Sequence, residues 1–295
     1  MNYESITVKI AFLIGFVVLA PFIGGLIDGC DRKISAKMQG RKGPSIFQPF
    51  RDLRKLFQKQ FLAVHKNQLI LTFTFTFFVV MTGAMFYFGT DLLLCFFALS
   101  TAAMFLVLAG AMTHSPFATT GVQREMAQMM AYEPMVLLTA VGFYLAPGSH
   151  SFRVSEIITN TELPLIIFIP GFFIGFVFIL TIKFRKSPFD ISTSHHAHQE
   201  VVKGLTSELC GAQYGLTTIA EWYENVFLYG VVALFFLTNN PWSILWSIGA
   251  CIVVFFIEVL IDNTSARVKW QLMLKLAWGV TIVTGGLNLL ILELI

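Results

Sequence analysis

Charge is scarce in this sequence. Asp, Glu, Lys and Arg make up 13% of its 295 residues, where a soluble domain carries about 25%. With a mean hydropathy of +0.74, that scarcity excludes a soluble domain with a large core. Cysteines are few and scattered: Cys30, Cys95, Cys210 and Cys251 include no CxxC pair. Their spacing argues against an iron–sulfur cluster or a zinc site held within the chain. Buried, inert thiols are the expected case, and disulfides are neither required nor excluded. There is no P-loop, no GxGxxG and no nucleophile elbow, so the residues give no support to an autonomous enzyme. No internal repeat is visible either, although secondary transporters are commonly built from repeats. No small-residue cleavage motif leads into a soluble domain after Ile6–Ile27, so that run reads as a span rather than a cleavable signal.

What the sequence has in abundance is apolar runs of about twenty residues, each long enough to cross a bilayer. The reading is an all-α polytopic membrane protein, a single integral domain over 1–295. Eight helices are expected, near 6–27, 68–90, 92–112, 129–146, 163–182, 214–237, 242–261 and 272–292. Gly89-Thr90-Asp91 and Thr238-Asn239-Asn240-Pro241 read as tight turns between neighbours, with Asp91 capping the helix that follows. The four loops 28–67, 113–128, 183–213 and 262–275 hold 18 of the 20 Lys and Arg residues. The positive-inside rule then places those loops in the cytoplasm and both termini on the outer side of the cell membrane. Within the first loop, Phe50, Leu53, Leu56 and Phe57 recur at helical spacing, with Arg51, Arg54, Lys55 and Lys59 elsewhere around the wheel. That pattern is a basic amphipathic helix suited to the membrane surface. Two roles stay open for it: a simple anchor, or also a support for a docked partner.

Carboxylates within apolar spans carry the strongest chemical signal. Glu133, Glu221, Glu224 and Glu258 each sit in or at the edge of one. Burying an ionised carboxylate in hydrocarbon costs several kcal/mol, so such residues tend to face a polar interior path. A carboxyl in a low-dielectric site can also hold a proton near neutral pH. Glu221 and Glu224, three residues apart, share a helix face. The plainer alternative is interhelical hydrogen bonding or ion pairing with no transport role. Arg124 and Glu125, at the entrance to the fourth helix, could simply pair with each other. Asp262 and Arg267 read as a solvated face.

The segment Ser187–Gly204 is polar and titratable between two apolar stretches. It contains Asp190, His195, His196, His198 and Glu200. Three readings stay open for the histidines: a proton relay, a plain polar loop, and a metal site, for which the HxH spacing is weak support.

Four blocks of this sequence resemble the membrane subunit shared by respiratory complex I (its subunit 1) and the energy-converting nickel–iron hydrogenases. They are Gly40-Arg41-Lys42-Gly43-Pro44 with Gln48-Pro49-Phe50-Arg51-Asp52 and Lys55-Leu56; Ser115-Pro116-Phe117-Ala118 with Arg124-Glu125 and Glu133-Pro134; Pro188-Phe189-Asp190 through Glu200-Val201-Val202-Lys203-Gly204, with Glu208 and Glu221; and Asn263-Thr264 with Ala266-Arg267. Together they span nearly the whole chain. The third block departs from the complex I pattern: His196 and His198 stand where alternating acids are expected. The basic Lys183-Phe184-Arg185-Lys186-Ser187 precedes it where the quinone-reducing members often carry a carboxylate. In both respects the chain resembles most closely the B subunit of an Ech-type hydrogenase.

The resemblance implies a membrane-anchoring and ion-translocation-coupling subunit of a ferredoxin-dependent hydrogenase, with no catalytic residue, metal or redox cofactor of its own. Iron–sulfur clusters and a nickel–iron centre would belong to partner subunits: the hydrophilic large and small hydrogenase subunits and a ferredoxin-like subunit. An antiporter-like membrane subunit would be the neighbour within the bilayer, and no nucleic acid is involved. Asp190 and the three histidines would form the coupling loop. Glu125, Glu133, Glu200, Glu208, Glu221, Glu224 and Glu258 would form the ion path, and Arg41, Arg51, Asp52 and Lys55 the partner interface. The rival readings are a complex I-like quinone-chamber subunit, an autonomous secondary ion transporter and a passive anchor.

Overall fold

A computed structural model describes residues 5–60, 66–186, 188–193 and 200–294. In chain order its helices are α1 (Ile6–Met38), α2 (Gln48–Phe57), α3 (Lys66–Phe88), α4 (Leu92–Ala111), α5 (Pro116–Leu145), α6 (Val154–Asn160), α7 (Pro170–Lys183), α8 (Gly211–Leu234), α9 (Ser243–Thr264), α10 (Trp270–Val280) and α11 (Leu287–Leu294). A π-helical turn, Thr281–Gly286, joins α10 directly to α11. Each of the eight expected spans falls on a helix. Among the described residues, five helices are long and apolar enough to cross a membrane: α1, α3, α4, α9 and the α10–α11 rod. This is a multi-pass membrane protein.

The spans missing from that set are α5, α7 and α8. Acidic and other polar residues dilute the apolarity of α5 and α8. Helix α5 also begins at Pro116 rather than near residue 129, so the expected loop 113–128 is largely helical. Proline suits this position, because the first helical N–H has no intrahelical partner to lose.

The turn between α3 and α4 is as the sequence implies. Gly89 adopts φ +86°, and the Asp91 carboxylate accepts from the amides of Leu93 (2.9 Å) and Leu94 (3.4 Å). Helix α2 lies with Phe50 against Gly25 of α1 and 5.3 Å, ring to ring, from Trp222 of α8. Part of its apolar stripe is therefore covered by protein rather than lipid.

Helix α7 has only 14 residues, about 21 Å at 1.5 Å per residue, short of a hydrocarbon core of about 30 Å. At its N-terminus Asn288 of α11 substitutes for a local cap. Its Oδ1 accepts from the amides of Gly171 (2.7 Å) and Phe172 (3.3 Å), and its Nδ2 donates to the Phe168 carbonyl (3.0 Å). Beyond its C-terminus the chain turns into the bundle instead of leaving it: residues 188–193 and 204–206 are buried. Irregular backbone at such a depth is stable only where protein or internal water satisfies it.

Two glycines make room for that entry. A Cβ on Gly121 of α5 would lie 2.3 Å from the Leu205 amide nitrogen and 2.6 Å from the Gly204 carbonyl carbon. One on Gly110 of α4 would meet mainly the Leu205 side chain, at 2.5 Å. Gly121→Ala must displace backbone, so a loss of about 1–3 kcal/mol is expected. Gly110→Ala meets a rotatable side chain and should cost less. Thermal unfolding of the two variants in detergent checks this order, and a milder loss at Gly121 would refute it.

Candidate functional site

The segment that follows α7 is anchored by its own backbone. Arg185 donates its amide to the Ile182 carbonyl (3.1 Å), and Lys186 donates to Thr181 (3.0 Å). This is a Schellman closure, with Arg185 at φ +56° in the position where glycine is usual. A side chain there costs roughly 1–2 kcal/mol, a strain of the kind that collects at functional positions. It aims Arg185 and its neighbours inward. Lys183 Nζ lies 2.8 Å from Glu224, Arg185 Nη1 2.5 Å from Glu221, and Lys186 Nζ 2.5 Å from Asp31 of α1. Three cations of one short stretch thus reach three acids on two helices. Lys183 also lies over the ring of Tyr132, 4.1 Å from its centre.

The next residues clip onto the chain ahead of α10. Phe189 and Val268 form an isolated parallel bridge, with Val268 N donating to the Pro188 carbonyl (2.5 Å) and Asp190 N to the Val268 carbonyl (3.1 Å). Asp190 is fully buried and serves as the hub of this region. Its Oδ2 meets Arg124 Nη1 at 2.8 Å and Arg267 Nη2 at 3.2 Å, and its Oδ1 accepts from the Glu200 amide at 3.2 Å. Glu200 closes the cluster through its own pairs with Arg124 (2.6 Å) and Arg267 (3.6 Å). Burial alone would push the Asp190 carboxyl up. Arg124, Arg267 and the Glu200 amide outweigh it and hold the carboxyl below the usual Asp range.

Between this cluster and the acids of α8 lies Glu125, buried on α5 and hydrogen-bonded by the Ser192 hydroxyl. A cavity of about 20 Å³ is lined by Glu125, Gln128, Tyr132, Lys183, Arg185 and Glu224. A second, of about 70 Å³, carries Glu133 and Ser100 and shares Tyr132 and Lys183 with the first. One water needs about 10–15 Å³ measured this way, so both are water-sized spaces. Titratable groups therefore follow one another from Asp190 and Glu200, past Glu125, to Glu221 and Glu224, and then to Glu133.

The remaining expected residues fall as follows. Glu133 is half-buried and pairs with no described residue; Glu208 is half-buried beside the entering segment. Glu258 is fully buried on α9, and neither carboxylate oxygen has a hydrogen-bond partner among the described residues. His195, His196 and His198 lie outside the described residues. Arg41, Arg51 and Lys55 are exposed. Asp52 pairs at the surface with Arg32, at 3.1 Å, and so ties α2 to α1.

Two sequence expectations need correction. Arg124 reaches Asp190 and Glu200 rather than Glu125, because consecutive helix residues point about 100° apart and do not face each other. Arg267 is not merely part of a solvated face, since it completes the Asp190 cluster. The partners that sequence reasoning missed are Lys183, Arg185 and Lys186, which had stood out only as a departure from the family pattern. Their signal was available: three cations at the end of an apolar helix, in a chain with acids inside its membrane spans.

The geometry can be set beside known proteins. The family model described as NADH dehydrogenase matches residues 8–293. Hydrogenase-4 component C of Escherichia coli is 27% identical, over 91% of this chain and 91% of its own length. An NADH-quinone oxidoreductase subunit of Geobacter metallireducens is 29% identical, over 96% and 94%. Among solved structures, a chain of the membrane-bound sulfane sulfur reductase, an archaeal respiratory membrane complex, matches with a TM-score of 0.81. That match covers 96% of this chain and 99% of that one at 19% identity, a likeness of fold.

Proposed function

We propose, from the premise that this chain belongs to the NADH dehydrogenase family, that it is the membrane subunit of a complex I-like or hydrogenase-type assembly that couples electron transfer in docked subunits to ion movement. The observation that carries this reading is the run of buried and half-buried titratable groups from Asp190 to Glu224 and Glu133, entered by a segment that bridges to the chain ahead of α10. In the finer form of the proposal, the docked module is a ferredoxin-dependent nickel–iron hydrogenase. Its large, small and ferredoxin-like subunits hold the nickel–iron centre and the iron–sulfur clusters, and an antiporter-like subunit adjoins the chain in the membrane. Both termini lie on the outer side.

Three features support the hydrogenase form. The histidine-rich loop replaces a run of acids. Lys183, Arg185 and Lys186 occupy a place that is often acidic in quinone-reducing members. The spaces beside Glu125 and Glu133 suit water and protons in size. A change of charge or position at the docked module would move residues 188–193, and with them Arg185 and Lys183. Glu221 and Glu224 would then lose or regain their cations and so bind or release protons. The second reading, a quinone-chamber subunit, draws on the relative from Geobacter, whose similarity equals that of the hydrogenase relative.

Purification of the native complex through a tag on this chain separates the two. Nickel with hydrogen evolution from reduced ferredoxin, and no quinone reduction, is the expected result. Quinone reduction without nickel would overturn the hydrogenase form.

A further inference from the structure

Glu258 is the one fully buried carboxylate of α9 that the path above does not use. Its two oxygens lack a hydrogen-bond partner among the described residues, and an ionised carboxylate left so would forfeit its hydration with nothing in return. Helix α9 packs against α1, α7 and α8. The titratable groups whose charge reaches Glu258 are Asp31 from α1, Lys186 from the turn after α7, Tyr229 from α8 and Asp262 from α9 itself. Of these only Lys186 is a cation, and in this structure it belongs to Asp31, at 2.5 Å. Asp31 is in turn tied to α9: Ser35 donates to it at 3.3 Å, and Asn263 donates to Ser35 at 3.1 Å. One ammonium, paired with Asp31, is thus the cation whose charge also reaches Glu258 on the facing helix.

We propose that Glu258 carries a proton in this arrangement, and that Lys186 is a transferable cation between Asp31 and Glu258, making these three residues a second proton-exchange site apart from Glu221 and Glu224. The exchange balances. When Lys186 swings to Glu258, the O–H bond of Glu258 breaks and its carboxylate takes the ammonium. Asp31, now without its cation, binds the proton. Net charge is unchanged, and the proton has moved from a fully buried carboxyl to one whose side chain is 25% exposed. A metal cation is the poorer occupant, since it would face the Lys186 ammonium and needs several oxygen ligands. The proposal rests on reading residues 183–193 as the coupling segment. Lys186 follows Arg185 directly, so one displacement of that turn would act on both proton sites at once.

The test is infrared difference spectroscopy on the purified native complex at neutral pH. A carboxylic-acid carbonyl band, sensitive to D₂O exchange, is expected in the wild type and absent from Glu258→Gln. Asp31→Asn frees Lys186 for Glu258 and should lower the proton affinity at Glu258 by about tenfold or more, one pH unit or more, so the band loses most of its amplitude. Lys186→Met should keep it. The last two variants leave Glu258 in place, so their contrast decides even where Glu258→Gln does not assemble. No band in the wild type, or equal bands in Asp31→Asn and wild type, would overturn the proposal. Normal pumping by a Glu221→Gln variant would instead sink the coupling reading and leave the band untouched.

Discussion

Glu221→Gln is expected to abolish coupled ion movement while leaving much of the partner subunits' electron transfer intact. Glutamine keeps the shape but cannot load a proton, and it no longer neutralises Arg185. The Arg185 and Glu221 side chains are 19% and 30% exposed, so removing one partner should cost less than the about 3–5 kcal/mol of a fully buried pair. The single variant therefore combines a loss of coupling with a loss of stability. The double variant Arg185→Met with Glu221→Gln separates them: stability should largely return, and coupling should not. Glu133→Gln offers a cleaner contrast. Glu133 has no ionic partner among the described residues, so coupling should be lost with less than about 1 kcal/mol of destabilisation. Ion uptake into proteoliposomes, measured beside electron transfer and thermal unfolding, checks all three. Normal pumping in the single and double variants would refute the role given to Glu221.

Asp190→Asn should be the most destabilising change in the entering segment. The carboxylate is completely buried and serves Arg124, Arg267 and the Glu200 amide together. Its loss takes from Arg124 and Arg267 the buried carboxylate they share, leaving the half-exposed Glu200 as their common acid, at an expected cost of about 3–5 kcal/mol. The arginines hold the Asp190 carboxyl below its usual range. Its stabilisation is therefore complete above the ordinary Asp value of about 3.9. It is lost as pH falls through the lower folded-state value. The stability gap between wild type and variant should be widest near neutral pH and close on acidification through that window. Thermal unfolding across a pH series measures it. A gap that stays undiminished from neutral pH down to about pH 2 would show that Asp190 contributes through shape rather than charge.

Several elements of this site were legible from residue order alone. The apolar runs marked every helix later found at the eight spans, since a stretch of twenty apolar residues has few alternatives in a bilayer. Spacing predicted the shared face of Glu221 and Glu224, and both meet cations from the same short turn. Asp91 reads as a cap and is one. The pairing of Arg124 was not legible, because the residue next to it in sequence points elsewhere and its true partners lie 66 and 76 positions away. Arg267, placed in a solvated loop by its flanks, needed the Phe189–Val268 bridge to reach Asp190. Helix α7 looked like an ordinary span. Its shortness, and the entry of the following chain, depend on whether α4 and α5 leave room, which they do at Gly110 and Gly121.

The sequence by itself determined the class of molecule, its helices, its family and the acids within its spans, because hydropathy and motif spacing are local properties of the chain. Only the tertiary structure decided which cation meets which acid, that Lys186 pairs with Asp31 while Glu258 is buried without a hydrogen-bond partner among the described residues, and that the polar segment folds inward. Those outcomes depend on distances of a few ångströms between helices far apart in sequence, and Coulomb energy in a poorly screened interior varies steeply over such distances.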